Sequence, residues 1–182
     1  MAEEQIDVLD ENGNKLGVVK TRAEVHANGL WHQAAHVWIF NSKGEILLQK
    51  RSMQKESWPG LWDTSAAGHL SAGDTPKEAA IRELREELGI MAKSKDLKLI
   101  MVEKISIVPK RGYYNNEFEY VYLLHWDELP KKLQSEEVES VAFVPLNIFE
   151  KELKDPEASK KYAPNAYYQK LIRILKREMS QK

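Results

Sequence analysis

Cysteine is missing from the 182-residue chain. Its absence excludes disulfides, thiolate metal sites and thiol nucleophiles in one step. No run of ~18 apolar residues is present to cross a bilayer as a helix. The opening MAEEQIDVLDENG is acidic, where a secretory signal is basic and then apolar. A soluble, cytoplasmic protein without membrane contact is therefore expected. An excess of either charge is lacking too, since 27 basic and 28 acidic side chains leave a net charge of −1. No general field draws the chain to nucleic acid and no basic stripe is present, so any phosphate recognition has to come from a local site. Internal repeats and low-complexity tracts are also absent.

What the chain does have is 42% apolar residues and enough length to bury a real core. IDVLDENGNKLGVVK carries short β-type runs on either side of Asn12-Gly13, a pair suited to the left-handed angles of a tight hairpin turn. AAHVWIF, NSKGE and ILLQKRS repeat that signature and predict a second antiparallel pair. After the loop MQKESWPG, LWDTSAAG reads as one short strand, and LKLIMVEKISIV, EFEYVYLLHW and VESVAFVPL read as further strands. Residues 147–153 fit a short helix. Residues 166–179, with Leu171, Ile174, Leu175 and Met179 at helical spacing, fit a C-terminal helix packed on the domain. The expected organisation is an N-terminal hairpin extension over residues 1–29, then one mixed α/β domain over residues 30–182. The hairpin and the apolar C-terminal helix each offer an interface for a homodimer.

Among these strands lies GHLSAGDTPKEAAIRELREELGI, residues 68–90. Thr75 can cap a helix there, Pro76 suits its first position, and Glu78 completes a Thr-x-x-Glu capping box. Gly89 is placed to end it. At ~100° per residue, Glu83, Glu86 and Glu87 fall within an arc of roughly 100°, while Ile81, Leu84 and Leu88 centre roughly 140° away. One face packs and the other presents carboxylates. Like charges three and four residues apart cost about a few tenths of a kcal/mol per pair on an exposed helix. A divalent cation reverses the sign of that term, and carboxylate oxygens are the donors that Mg²⁺ and Mn²⁺ prefer. A solvated charged face neutralised by Arg82 and Arg85 accounts for the same spacing.

The whole segment resembles the Nudix box, Gly-x5-Glu-x7-Arg-Glu-apolar-x-Glu-Glu-x-Gly-apolar. Gly68, Arg82, Glu83, Leu84, Glu86, Glu87, Gly89 and Ile90 match it, and Asp74 stands where the pattern has Glu. So many fixed positions make the motif far more specific than a lone glycine loop. The resemblance implies an α/β/α sandwich with a mixed sheet. It also implies metal-dependent attack of water on a diphosphate linkage in a nucleotide or related compound, with Mg²⁺ or Mn²⁺ held by Glu83, Glu86 and Glu87 as the catalytic trio. A diphosphate-binding module without turnover is an alternative that predicts a lost metal glutamate, and all of the trio is present.

Outside the box, EVHANGLWHQAAHVWIFN, LLQKRSMQKESWPGLWDTSAAGH and EFE resemble type I isopentenyl-diphosphate isomerase, itself built on the Nudix fold. That resemblance implies a second metal site on His26, His32, His69, Glu117 and Glu119, and diphosphate-holding basic residues at Arg51 and Lys55. Glu117 and Glu119, two apart on a strand, face one side and can converge on one ion. The isomerase's acid/base cysteine is replaced here by Ala67, whose methyl cannot transfer a proton. A hydrolase related to the isomerases is the resulting expectation, with an isomerase-like protein as the alternative. His36 and His125 read as surface or hydrogen-bonded core residues. Trp62 reads as core, while Trp58 is left between filling a core and stacking on a base. PKRGYYNNE, with Lys110, Arg111, Tyr113 and Tyr114, reads as a solvated loop, a substrate grip being the other possibility.

Overall fold

The computed structural model describes residues 3–180. Its elements are β1 (Gln5–Leu9), β2 (Lys15–Thr21), α1 (Arg22–Asn28), β3 (Trp31–Phe40), β4 (Glu45–Arg51), β5 (Trp62–Asp63), β6 (Ala66–His69), α2 (Pro76–Leu88), β7 (Lys98–Lys110), β8 (Tyr113–His125), β9 (Val138–Pro145), α3 (Leu146–Lys154) and α4 (Tyr168–Met179). No helix among the described residues is long and apolar enough to cross a membrane.

β3 is buried on both of its faces, as a continuous apolar run requires of a central strand. Ala35, Val37 and Ile39 pack with Ala79, Ala80, Leu84 and Leu88 of α2. Trp38 and Phe40 point the other way, onto Phe149 of α3 and Leu171, Ile172 and Leu175 of α4. Two helical layers thus cover one mixed sheet, an α/β/α sandwich with an N-terminal hairpin and a C-terminal helix. Along one edge β3 runs parallel to β8 from Trp31 opposite Asn116 to Phe40 opposite His125. Its other edge is shared in sequence by β1 at Leu9–Trp31, by β6 from His69–Ala34 to Ala66–Val37, and by β4 at Ile39–Leu47 and Phe40–Ile46.

Several sequence expectations are corrected. The β1–β2 connection is not a two-residue turn: the strands end at Leu9 and resume at Lys15. Asp10 organises that loop by accepting from the backbone N–H groups of Asn12 and Asn14, both at 2.8 Å, and Gly13 alone takes a positive φ, 87°. LWDTSAAG forms two strands, because Thr64 and Ser65 turn inward, Thr64 Oγ1 donating to Val37 O at 2.9 Å and Ser65 Oγ to Leu47 O at 2.6 Å. β8 begins at Tyr113, so most of the expected solvated loop is strand and Tyr113 is buried. The helix α1 is an addition to the expectation. Its signal is legible afterwards: Thr21 and Glu24 form a capping box, and Gly29 closes the helix at φ 63°. Trp62 packs against the α3–α4 side of the core, as its core reading anticipates.

Leu171 is wholly buried where α4 meets the sheet. Leu171→Ala should cost about 2–5 kcal/mol by removing packing from a site that cannot fully collapse. At ~2–4 °C per kcal/mol for a chain of this size, differential scanning calorimetry should record a clearly lowered melting temperature.

Candidate active site

The site grows out of the β3–β8 ladder, which sets His32 directly opposite Glu117. β6 pairs on the far side of β3 and brings His69 opposite Ala34. α1 supplies His26, and its end is tied to β8 by Asn116 Nδ2 donating to Gly29 O at 2.6 Å. The ligand atoms of His26, His32 and His69 consequently lie within 4.8 Å of one another. Glu117 Oε1 is shared between His32 Nε2 at 3.2 Å and His69 Nε2 at 3.4 Å.

Backbone carbonyls set the histidine tautomers. His26 Nδ1 is 3.0 Å from Tyr114 O and His32 Nδ1 is 3.0 Å from Leu30 O, so each Nδ1 carries the proton. Both Nε2 atoms then face inward. His26 Nε2 is buried without a partner. His32 Nε2 faces Glu117 Oε1 at 3.2 Å, so a proton or a cation has to lie between them. This donor set fits a divalent cation. Tyr113 stacks on His26 with ring centroids 4.3 Å apart, and its hydroxyl accepts from Arg22 at 3.0 Å. Neither Tyr113 nor Arg22 stands out by spacing, since their roles arise only where α1 meets β8.

The acidic helix supplies the opposite part of the wall. Glu83 and Glu87 are buried and Glu86 is exposed at the rim, held by Arg82 at 3.4 Å and Arg85 at 3.5 Å. Glu87 Oε2 accepts from the backbone N–H of Ala67 at 3.2 Å and from Gln49 Nε2 at 3.4 Å. Arg82 donates to Glu83 Oε1 at 2.6 Å and to His69 O at 2.8 Å, linking the acidic helix to the histidine strand. A β-carbon at Gly68 would displace the Glu83 carboxyl group from the position it holds. Asp74, the one departure from the box, remains close to Arg82 at 3.8 Å.

Arg51, Lys55, His69, the three α2 glutamates, Glu117 and Glu119 line one cavity of about 490 Å³. Arg51 is engaged with Asp63 at 3.1 Å and with Ser57 O at 3.0 Å, which shapes the β4–β5 loop, and Lys55 is paired with Glu137. Trp58 also lines the cavity, at φ 52°, a left-handed conformation unfavourable for a bulky residue. His125 sits outside it, near Ser42 and Asp127. Glu4, another wall residue that its sequence position gave no reason to select, lies 3.9 Å from His69 Nδ1.

Burial and mutual contact move several of the site's titratable groups from their ordinary values. Burial, reinforced by Glu83, pushes Glu87 up to about 8. Burial raises Glu83 despite Arg82, with Glu86 and Glu4 adding to the rise, and burial with Glu117 and Asp63 raises Glu119 well above the usual carboxylate range. Burial also lowers His26 to about 4, His69 contributing. For His69 burial is overcome by Glu117 and Glu4, which lift it to about 9. Burial would likewise raise Glu117, but His32 and His69 hold it well below its ordinary value.

With this geometry in view, comparison with known proteins assigns the class. The NUDIX domain family model matches residues 30–166, and the chain belongs to that family. It is 46% identical over 183 residues to Nudix hydrolase 3 of Arabidopsis thaliana, covering 97% of this chain and 24% of that protein. It is 39% identical over 90 residues to the isopentenyl-diphosphate Delta-isomerase of Citrobacter koseri, covering 50% of each. The chain thus spans about a quarter of the first relative and about half of the second. In fold, it is similar to a solved structure from Deinococcus radiodurans, with a TM-score of 0.68 at 21% identity over 94% of this chain and 99% of the other.

Two pH effects follow. Cation binding has to displace protons from Glu87 and His69, so Mn²⁺ affinity by titration calorimetry should rise as pH passes through about 8 and about 9, with measurable proton release. In metal-free protein the Glu87 contribution to stability is full below its unfolded value of 4.5 and is lost as pH rises through about 8. Glu87→Gln stays neutral, so above that pH with chelator it should melt a few degrees higher than the wild type.

Proposed function

We propose that the chain hydrolyses a diphosphate linkage in a nucleotide or related nucleoside diphosphate derivative, using Mg²⁺ or Mn²⁺. The observation that carries this reading is one cavity wall on which Glu83, Glu87 and Glu119 are buried and all biased toward acquiring positive charge. Glu83, Glu86 and Glu87 would hold metal on the helix side, and His26, His32, His69, Glu117 and Glu119 on the strand side. When bound, a divalent metal neutralises phosphate oxygens and lowers the pKa of a coordinated water.

The chain's own residues provide placement. Ala67 N–H and Gln49 orient Glu87, while Gly68 leaves Glu83 the space it occupies. Arg51 shapes the β4–β5 loop, and Lys55 exchanges Glu137 for a substrate phosphate oxygen, meeting the negative charge that would otherwise keep the diphosphate out. One of Glu83, Glu86 and Glu87 orients the attacking water and takes its proton.

The second reading, double-bond isomerisation, is favoured by the similarity to the Citrobacter isomerase. Ala67 opposes it. Its position beside Glu87 is filled by a methyl group and a main-chain N–H already donated to that carboxylate, leaving no proton donor where the isomerase has a thiol.

The deciding assay measures phosphate or pyrophosphate release from nucleoside di- and triphosphates, nucleotide sugars, dinucleotides and isoprenoid diphosphates, with Mg²⁺ or Mn²⁺ and with chelator. Chelator-sensitive turnover of a nucleotide class is expected, and Glu87→Gln should reduce kcat to background with an unchanged circular-dichroism spectrum. Full activity in that variant would remove the metal assignment. Migration of the alkene of isopentenyl diphosphate would instead establish the isomerase reading.

A further inference from the structure

His36 lies on β3 beside the cavity, and none of the roles above uses it. Its Nδ1 is 2.7 Å from the Tyr167 hydroxyl, and that oxygen also lies 3.1 Å from Trp38 Nε1. An indole N–H can only donate, so Tyr167 accepts from Trp38. The Tyr167 proton then has one acceptor among the described residues, His36 Nδ1. Reversing this last bond would leave a buried hydroxyl proton unpaired, at a cost of about 1–3 kcal/mol. His36 is therefore held with its own proton on Nε2, the opposite tautomer to His26 and His32.

That Nε2 points toward Glu119, 3.7 Å from Oε1, an ion-pair distance just beyond a hydrogen bond. The neighbouring acids are already engaged. Asp63 accepts from Arg51 at 3.1 Å and from Thr64 N at 2.8 Å, and Glu117 Oε1 is shared by His32 and His69. Glu119 Oε2 is buried and has no hydrogen-bond partner among the described residues.

We propose that Trp38, Tyr167 and His36 form a one-directional chain of donors that positions Glu119, turning Oε1 toward His36 and leaving Oε2 for a cation held with the histidine cluster. His36 and Tyr167 are positioning residues in this arrangement, and it rests on the reading of Glu119 as a ligand. It draws the C-terminal segment into the site, since Tyr167 immediately precedes α4 and lies just beyond the family match that ends at residue 166.

The test is ¹⁵N-histidine NMR of the full chain, with Mn²⁺ added stepwise and the broadening of the His26, His32 and His69 ring signals used to read occupancy of that site. Wild-type His36 should carry its proton on Nε2. Tyr167→Phe and His36→Leu should each need ~10-fold or more Mn²⁺ for the same broadening, the usual consequence of removing a partner that orients a ligand. His36→Gln, whose amide N–H can replace Nε2–H, should stay near wild type, which a purely structural role for the ring would not produce. A proton on Nδ1 of wild-type His36, or wild-type broadening in both Tyr167→Phe and His36→Leu, overturns the proposal. Glu117→Gln separates its failure from that of the underlying reading. If wild-type protein shows no more broadening than Glu117→Gln, the histidine metal site itself fails and the ligand-positioning role fails with it.

Discussion

The parallel ladder between β3 and β8 carries the rest of the molecule. It runs the full length of β3 and sets His32 opposite Glu117 and Ala34 opposite Glu119. Side chains alternate along a strand, so a slip of one residue would turn both glutamates away from the cavity and expose a core face. Apolar residues on both faces of β3 oppose that slip: Val37 and Ile39 are enclosed on the α2 side, Trp38 and Phe40 on the α3–α4 side. The hydrophobic core thereby fixes the position of the polar site.

The site spends some of that stability. Glu87 is repelled by Glu83 within α2 and Glu119 by Glu117 within β8, and these buried carboxylates lack the cationic partners that would hold all of them ionised. Arg82 compensates Glu83 in part and Glu117 is satisfied by His32 and His69, while the side chain of Glu87 accepts from the uncharged N–H donors of Ala67 and Gln49. The proposed divalent ion would relieve that cost. Small residues make the arrangement feasible. Gly68 admits the Glu83 carboxyl group, and Ala67 brings a main-chain N–H to Glu87.

The acidic helix was largely legible in the sequence. Its cap at Thr75, its end at Gly89 and its packing through Leu84 and Leu88 all appear as read, since each depends on contacts within a few residues. The strands β7, β8 and β9 and the helices α3 and α4 were legible from their β-prone runs and helical spacing, with boundaries shifted by a few residues. The N-terminal hairpin turns where Asn12-Gly13 placed it, but through a longer loop, because Asp10 offers the backbone a competing set of hydrogen bonds that the dipeptide alone does not reveal. Tyr113 was read as loop because its burial depends on the ring of His26, far away in the chain.

By itself, the sequence carried the family resemblance, through the box on residues 68–90, and excluded thiol chemistry, through the absence of any cysteine and the presence of Ala67. Those properties are local or compositional and survive without coordinates. Only the tertiary structure decided that His26, His32 and His69 meet, that Arg51 is engaged with Asp63, and that His36 is linked to Tyr167 across the width of the chain. Each of these joins residues that share no periodicity. Their proximity follows from which strands pair and in which register, a choice made by the burial of both faces of β3 as a whole.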